Sequence, residues 1–224
     1  MSSKIGLNLS KNYSINFSLP KRGIKKIKFI IIHYTGMKKE SKAIEKLCNH
    51  KSKVSSHYFI KNNGEVINLV PDLYEAWHAG ISNWKNFKSL NKYSIGVEIN
   101  NPGHDHEYRK FTNKQILSLI NLLKYLMNKY KINKKNVLGH SDISPDRKKD
   151  PGEKFPWKKL AKKNLCHWHN LNEKKISDFR NKKLSPSEEK IFFNNLCLIG
   201  YLKLNRVFNQ NKKRNLIKAF QRRF

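Results

Sequence analysis

Two histidines close runs that read as buried strands. His33 ends Ile27-Lys28-Phe29-Ile30-Ile31-Ile32-His33, and His140 ends Asn136-Val137-Leu138-Gly139-His140. Asp150 follows ten residues after the second, just before Pro151-Gly152. A strand end is held rigidly by the core, which suits a metal ligand. Two imidazoles and one carboxylate are the donor set of a catalytic zinc site whose fourth position is left to water. Taken singly, each residue has a plainer reading as a strand cap or a turn before proline, and no short motif such as H-E-x-x-H is present. Glu98 is the second signal. In Ser94-Ile95-Gly96-Val97-Glu98-Ile99-Asn100, alternation puts Ile95, Val97 and Ile99 on one face and Glu98 on the other with Gly96 and Asn100. A carboxylate inside an apolar strand is costly unless it is paired or faces a cleft, and beside a metal it could serve as a general base. Arg147 and Lys148 precede Asp150, where a cation could stabilise a developing oxyanion; a solvated basic loop is the plainer alternative.

The elements that must position these groups are legible in outline. Residues 38–50 carry Ala43, Ile44, Leu47 and Cys48 at helical spacing. Asn63-Gly64 between 55–60 and 65–70 is a hairpin signal. A loop with Trp77, His78, Gly80 and Trp84 follows, and Thr112 with Gln115 forms a capping box that opens a helix to about Tyr130. The irregular alternation of strands and helices predicts an α/β fold with a mixed central sheet flanked by helices. The pattern changes after Leu165, so a first domain is expected over 1–165, a polar linker over 166–184 and a small helical module over 185–224. That module opens on the capping box of Ser185-Pro186-Ser187-Glu188, continues with Ile191, Phe192, Leu196 and Leu198, breaks at Gly200-Tyr201, and ends in a helix over 211–224.

Composition narrows the classes. The 224 residues include 47 Lys or Arg against 16 Asp or Glu, a formal charge of +31. Only eight of the 47 are Arg, in a chain rich in Lys, Asn and Ile, whose codons are A/T-rich. Arg is the side chain best suited to bidentate phosphate and base contacts, so no nucleic acid is expected as main partner. With 38% hydrophobic residues the chain can build a core. No apolar run is long enough to span a membrane and no secretory signal is visible, so a cytoplasmic location is expected, with a periplasmic one as the alternative. Three cysteines, Cys48, Cys166 and Cys197, do not make a disulfide framework.

Five segments then occur together in one order: Ile30-Ile31-Ile32-His33-Tyr34-Thr35-Gly36, Val54-Ser55-Ser56-His57-Tyr58, Ala76-Trp77-His78-Ala79-Gly80, Ser94-Ile95-Gly96-Val97-Glu98, and Gly139-His140-Ser141-Asp142-Ile143-Ser144-Pro145 through Asp150-Pro151-Gly152. Over roughly 20–165 the chain resembles the zinc-dependent N-acetylmuramoyl-L-alanine amidases, the type-2 family that also includes peptidoglycan recognition proteins. The resemblance implies His33, His140 and Asp150 as zinc ligands, Glu98 and Lys148 as the catalytic pair, and Tyr34, Trp77, His78 and Arg147 as muropeptide contacts. It implies hydrolysis of the amide between N-acetylmuramic acid, or its 1,6-anhydro form, and the L-alanine of the stem peptide. Peptidoglycan fragments would then be the partner. The alternative is a non-catalytic muropeptide-binding protein, for which metal and general base have no purpose. Residues 185–224 also resemble the small peptidoglycan-binding module attached to some of these amidases. Outside these motifs, Cys166-His167-Trp168-His169 falls in the linker, Gly103-His104-Asp105-His106 reads as a polar loop bordering the cleft, and His57 reads as a satisfied core histidine.

Overall fold

A computed structural model describes residues 13–180, 183–202 and 210–224. In chain order the elements are β1 (Phe17–Ser18), β2 (Phe29–Tyr34), α1 (Glu40–Cys48), β3 (Tyr58–Ile60), β4 (Val66–Asn68), β5 (Glu75–Ala76), β6 (Asn83–Trp84), β7 (Phe87–Lys88), β8 (Ser94–Ile99), α2 (Asn113–Tyr130), β9 (Val137–Gly139), α3 (His140–Ile143), α4 (Trp157–Ala161), α5 (Glu173–Arg180), α6 (Pro186–Ile199) and α7 (Gln210–Arg223). Five strands make the central sheet in the order β4-β3-β8-β2-β9. The pairs β3–β8, β8–β2 and β2–β9 are parallel, and β4 runs antiparallel to β3 across the Asn63-Gly64 turn. The sheet is mixed and helix-covered, as the alternation of elements predicts.

Period-two alternation gives the sheet two unlike faces. Ile30 and Ile32 of β2, Ile95, Val97 and Ile99 of β8 and Tyr58 and Ile60 of β3 share one buried cluster with α2 (Leu119, Leu122, Leu123, Leu126) and α4 (Trp157, Leu160). Helix α2 starts where expected: the Thr112 hydroxyl accepts from the Gln115 N–H, and the Gln115 side chain accepts from the Thr112 N–H. On the opposite face the apolar residues fall into two separate clusters. One joins Phe29, Ile31 and Leu138 to Phe193, Leu196, Leu216 and Ala219 of α6 and α7. The other joins Phe59 and Ile67 to Ala43 and Leu47 of α1. On that face the strand register pairs His33 with Glu98 at the carboxyl ends of β2 and β8.

The C-terminal helices dock on this second face. Gly200 has φ +139°, and a Cβ on it would lie 2.5 Å from the Trp84 indole, so only glycine fits there. Lys85 N–H donates to the Gly200 carbonyl at 2.7 Å, and the rings of Trp84 and Tyr201 meet at 4.9 Å. The face of α6 that packs is Phe193 and Leu196; Ile191 and Leu198, placed in the apolar set by sequence, are 58% and 81% exposed. After the main core, which includes Leu165 and Cys166, α5 follows, with the Asn172 side chain accepting from the Lys175 N–H at its start. One further detail differs from expectation. His140 does not end a strand but opens α3, because Asp142 Oδ2 accepts the Gly139 N–H at 2.7 Å and turns the chain out of β9.

Candidate metal centre and catalytic cleft

Three elements converge on one point. His33 arrives on β2, whose core residues Ile30 and Ile32 fix the alternation that turns its imidazole to the other face. His140 arrives at the first turn of α3, and Asp150 on the loop that follows, tied back by Ser141 N–H donating to the Asp150 carbonyl at 2.8 Å. All three are buried. Asp150 Oδ2 lies 2.9 Å from His33 Nδ1 and 3.1 Å from His140 Nδ1, and the two Nδ1 atoms are 2.9 Å apart. This is the cluster of potential ligands among the described residues whose donor atoms gather within 4.8 Å.

The chemistry of the donor set fits a cation. His140 Nε2 faces the Ala79 carbonyl at 3.1 Å, an acceptor only, so the ring proton sits on Nε2 and Nδ1 carries a lone pair. That lone pair points at another imidazole nitrogen and at a carboxylate oxygen. Burial pushes the His33 imidazole down to about 4, with His140 adding to the effect, so a proton is not readily added to the cluster. Neutral imidazoles and an ionised carboxylate are the forms that bind zinc, and two nitrogens with one oxygen leave a coordination position open.

Glu98 stands beside this cluster with its Oε2 buried and without a hydrogen-bond partner among the described residues. Burial, helped by the charge of Asp150, raises its carboxyl to about 8 in the metal-free protein. The cleft above has a volume of about 520 Å³, and Tyr34, Trp77, His78, Arg147 and Lys148 line it together with Glu98 and the three clustered residues. Every site residue expected from sequence therefore borders one cavity. Their side chains have different tasks. Lys148 faces the cleft, and its charge acts on both His33 and Glu98. The Arg147 guanidinium donates to the carbonyls of Ile81 and Ala79 at 2.6 and 3.3 Å and so holds the 79–81 loop. Tyr34 OH bonds His104 Nδ1 at 2.8 Å, and Trp77 Nε1 donates to Ser18 Oγ at 2.9 Å. His78 lies on the floor, its nitrogens 3.0 Å from His33 Nε2 and 3.2 Å from Ser94 Oγ. His57 is a buried core residue whose Nδ1 accepts the Gly96 N–H at 3.0 Å.

The N-acetylmuramoyl-L-alanine amidase family, Amidase_2, matches residues 23–153 and so spans all these groups. The chain belongs to this family. It is 39% identical over 155 residues to the N-acetylmuramoyl-L-alanine amidase AmiD of Escherichia coli, covering 64% of this chain and 55% of that one. It is 38% identical over 111 residues to the 1,6-anhydro-N-acetylmuramyl-L-alanine amidase AmpD of Haemophilus influenzae, covering 49% and 58%. The chain thus spans little more than half the length of these curated relatives. A solved complex of E. coli AmiD with anhydro-N-acetylmuramic acid-L-Ala-D-γ-Glu-L-Lys superposes with a TM-score of 0.77 at 31% identity, over 92% of this chain and 84% of that one. AmpDh3 of Pseudomonas aeruginosa in complex with anhydromuramic pentapeptide gives 0.78 at 28% identity, over 100% and 89%. These superpositions reach past the family segment into the C-terminal helices of this amidase-family chain.

Three contacts of the cleft have no counterpart in the sequence motifs: Ser94 as a partner of His78, Gly96 beneath His78, and Ala79 as the acceptor for His140. Gly96 carried a signal, since a lone glycine inside an apolar strand marks a close approach.

Proposed function

We propose that this chain is a zinc-dependent N-acetylmuramoyl-L-alanine amidase that cleaves the bond between muramic acid and the L-alanine of peptidoglycan stem peptides. The observation that carries the reading is the convergence of His33, His140 and Asp150 on one point beside the unpartnered Glu98 Oε2. The named relatives act on or bind such compounds, and two of the solved relatives hold anhydro-muropeptides, which favours anhydro-muropeptide fragments as substrate and recycling of wall material as the role. Zinc, held by those three side chains, would polarise the scissile carbonyl and acidify water at the site. Glu98 Oε2 takes a proton from the attacking water and hands it to the alanine nitrogen as the C–N bond breaks. Lys148 stabilises negative charge on the carbonyl oxygen from across the cleft. Arg147 keeps the 79–81 rim in place. No helix of the described residues is long and apolar enough to cross a membrane. The three free cysteines are consistent with a reducing compartment, the cytoplasm, which cell fractionation checks.

The deciding experiment incubates zinc-loaded protein with defined anhydro-muropeptides and weighs the products. Free stem peptide beginning at L-alanine, together with the peptide-free sugar acid, is expected. Tight binding with the amide intact would select the non-catalytic muropeptide-binding reading instead.

A further inference from the structure

His78 is tied on every side. Its main-chain N–H and that of Ala79 both donate to Asn91 Oδ1, at 3.1 and 2.7 Å. Its ring lies directly over β8: a Cβ on Gly96 would come within 2.4 Å of His78 Cγ and 2.7 Å of its Nδ1. Any other residue at 96 would lift the imidazole off the strand. The hydrogen-bond partners then have one self-consistent order of donors. The Leu90 carbonyl, 2.6 Å from Ser94 Oγ, can only accept, so the serine hydroxyl donates to it. Ser94 Oγ is left as acceptor for His78, whose proton therefore sits on Nε2 at 3.2 Å. His78 Nδ1 is then a lone pair, and the group 3.0 Å away, His33 Nε2, must be the donor. With the His33 proton on Nε2, its Nδ1 presents a lone pair toward Asp150 and His140.

We propose that His78 is a positioning residue: seated on Gly96 and anchored by Ser94, it fixes the tautomer and ring orientation of His33, so that Nδ1 faces the metal point. The chain Leu90 to Ser94 to His78 to His33 delivers to β2 what the Ala79 carbonyl delivers to His140, a defined partner for the outer ring nitrogen. Partners of this kind orient metal-ligating histidines and raise their basicity, and losing one weakens metal affinity by about 10–100-fold. The expected change in metal affinity rests on the zinc amidase reading; the tautomer assignment does not.

Two measurements test it. In the metal-free protein, imidazole nitrogen shifts should place the His33 proton on Nε2 in the wild type and lose that preference in His78→Phe and Ser94→Ala. By competition with a chelator, zinc affinity should fall about 10–100-fold in His78→Phe and less in Ser94→Ala, while His78→Gln, whose amide oxygen can accept from His33 Nε2–H, recovers part of it. Circular dichroism of each variant separates these effects from misfolding; Ser94→Ala, the smaller change, decides if His78→Phe does not fold. A His33 proton on Nδ1 in the wild type, or Ser94→Ala with unaltered tautomer and unaltered zinc affinity, overturns the proposal. A wild type that binds no zinc but keeps the Nε2 proton leaves the tautomer assignment intact and strikes the zinc reading.

Discussion

Asp142 and Asp150 lie eight residues apart on one segment, and both are buried, at 2% and 6% exposure. Their surroundings are opposite. Asp142 Oδ1 accepts the Tyr201 hydroxyl at 2.6 Å, and its Oδ2 accepts Arg223 Nη1 at 2.6 Å and the Gly139 N–H at 2.7 Å. Arg223 in turn donates to the Val137 carbonyl and stacks 4.3 Å over the Trp157 ring. Everything Asp142 needs is supplied by the chain itself, and the result is a clamp between α7 and the end of β9. Asp150 meets imidazole nitrogens, at least one of which offers it a lone pair rather than a proton, beside a glutamate whose Oε2 has no partner. A buried carboxylate closed by donors contributes to structure, whereas one set among other acceptors is built for a cation from outside. Substitutions should separate the two centres, one through turnover and the other through stability.

The largest effect is expected at Asp150, His33 and His140. Alanine at any of them should abolish zinc binding and turnover, as should prolonged chelation of the wild type, with activity restored to the wild type alone when zinc is returned. Metal content and product release measured on the same samples check this; full turnover in any one variant breaks the contrast. Glu98→Gln comes next. It should keep zinc and substrate affinity yet lose about 10²–10⁴-fold in kcat, the usual contribution of a positioned acid or base. Release of zinc by that variant would make Glu98 a ligand instead.

At the clamp the readout changes. Arg223→Met leaves Asp142 buried without its cation and should cost about 3–5 kcal/mol of folding stability, while specific activity of the folded fraction stays near wild type. Urea denaturation followed by fluorescence measures the first quantity, and a turnover assay at low temperature the second. A stable variant with low activity would mean that the clamp serves catalysis. Lys148→Ala should act in the other sense, lowering kcat by about 10²–10³-fold with little change in the unfolding midpoint. An unfolding midpoint lowered as far as that of Arg223→Met, with kcat retained, would put Lys148 with the clamp.

The two centres were unequally legible in the sequence. Strands β2 and β8, the Thr112 cap and the Asn63-Gly64 turn follow from local patterns, and with them the pairing of His33 and Glu98 on one face. Chemistry could be read because His33, Glu98, His140 and Asp150 sit in motifs with their own local character. The clamp could not be read, because Asp142 and Arg223 are 81 positions apart and neither position is unusual by itself. The same reason hid the task of Arg147, whose acceptors Ala79 and Ile81 lie on a loop 68 and 66 positions earlier. Helix α5 leaves no readable signal because residues 166–184 are too polar to show a period, although Asn172 is an acceptable cap. His140 at the start of α3 reads as a strand end because Asp142 acts through the Gly139 main chain, which leaves no apolar pattern.

A pH series tests whether the catalytic centre carries a stability cost that the clamp does not. In the metal-free protein Glu98 is raised to about 8 by burial and by Asp150, against the opposing charges of Lys148 and Lys46, whereas in the unfolded chain it titrates near 4.5. Between those values the folded state holds a proton that the unfolded chain has released, so this contribution to stability is complete below about 4.5 and is lost as pH rises toward 8. The buried histidines act in the opposite sense. His33 and His57 are pushed down to about 4 and about 3, so the unfolded chain takes up protons first and stability falls as pH drops below 6.5. Metal-free wild type should therefore lose stability on both sides of a maximum. Glu98→Gln carries no such proton and should flatten the alkaline limb alone, raising Tm above wild type at pH 8 and leaving Tm at pH 4 unchanged. Thermal melts of both proteins in chelator across pH 4–9 measure the two limbs, and parallel curves would mean that Glu98 is already ionised in the folded metal-free protein.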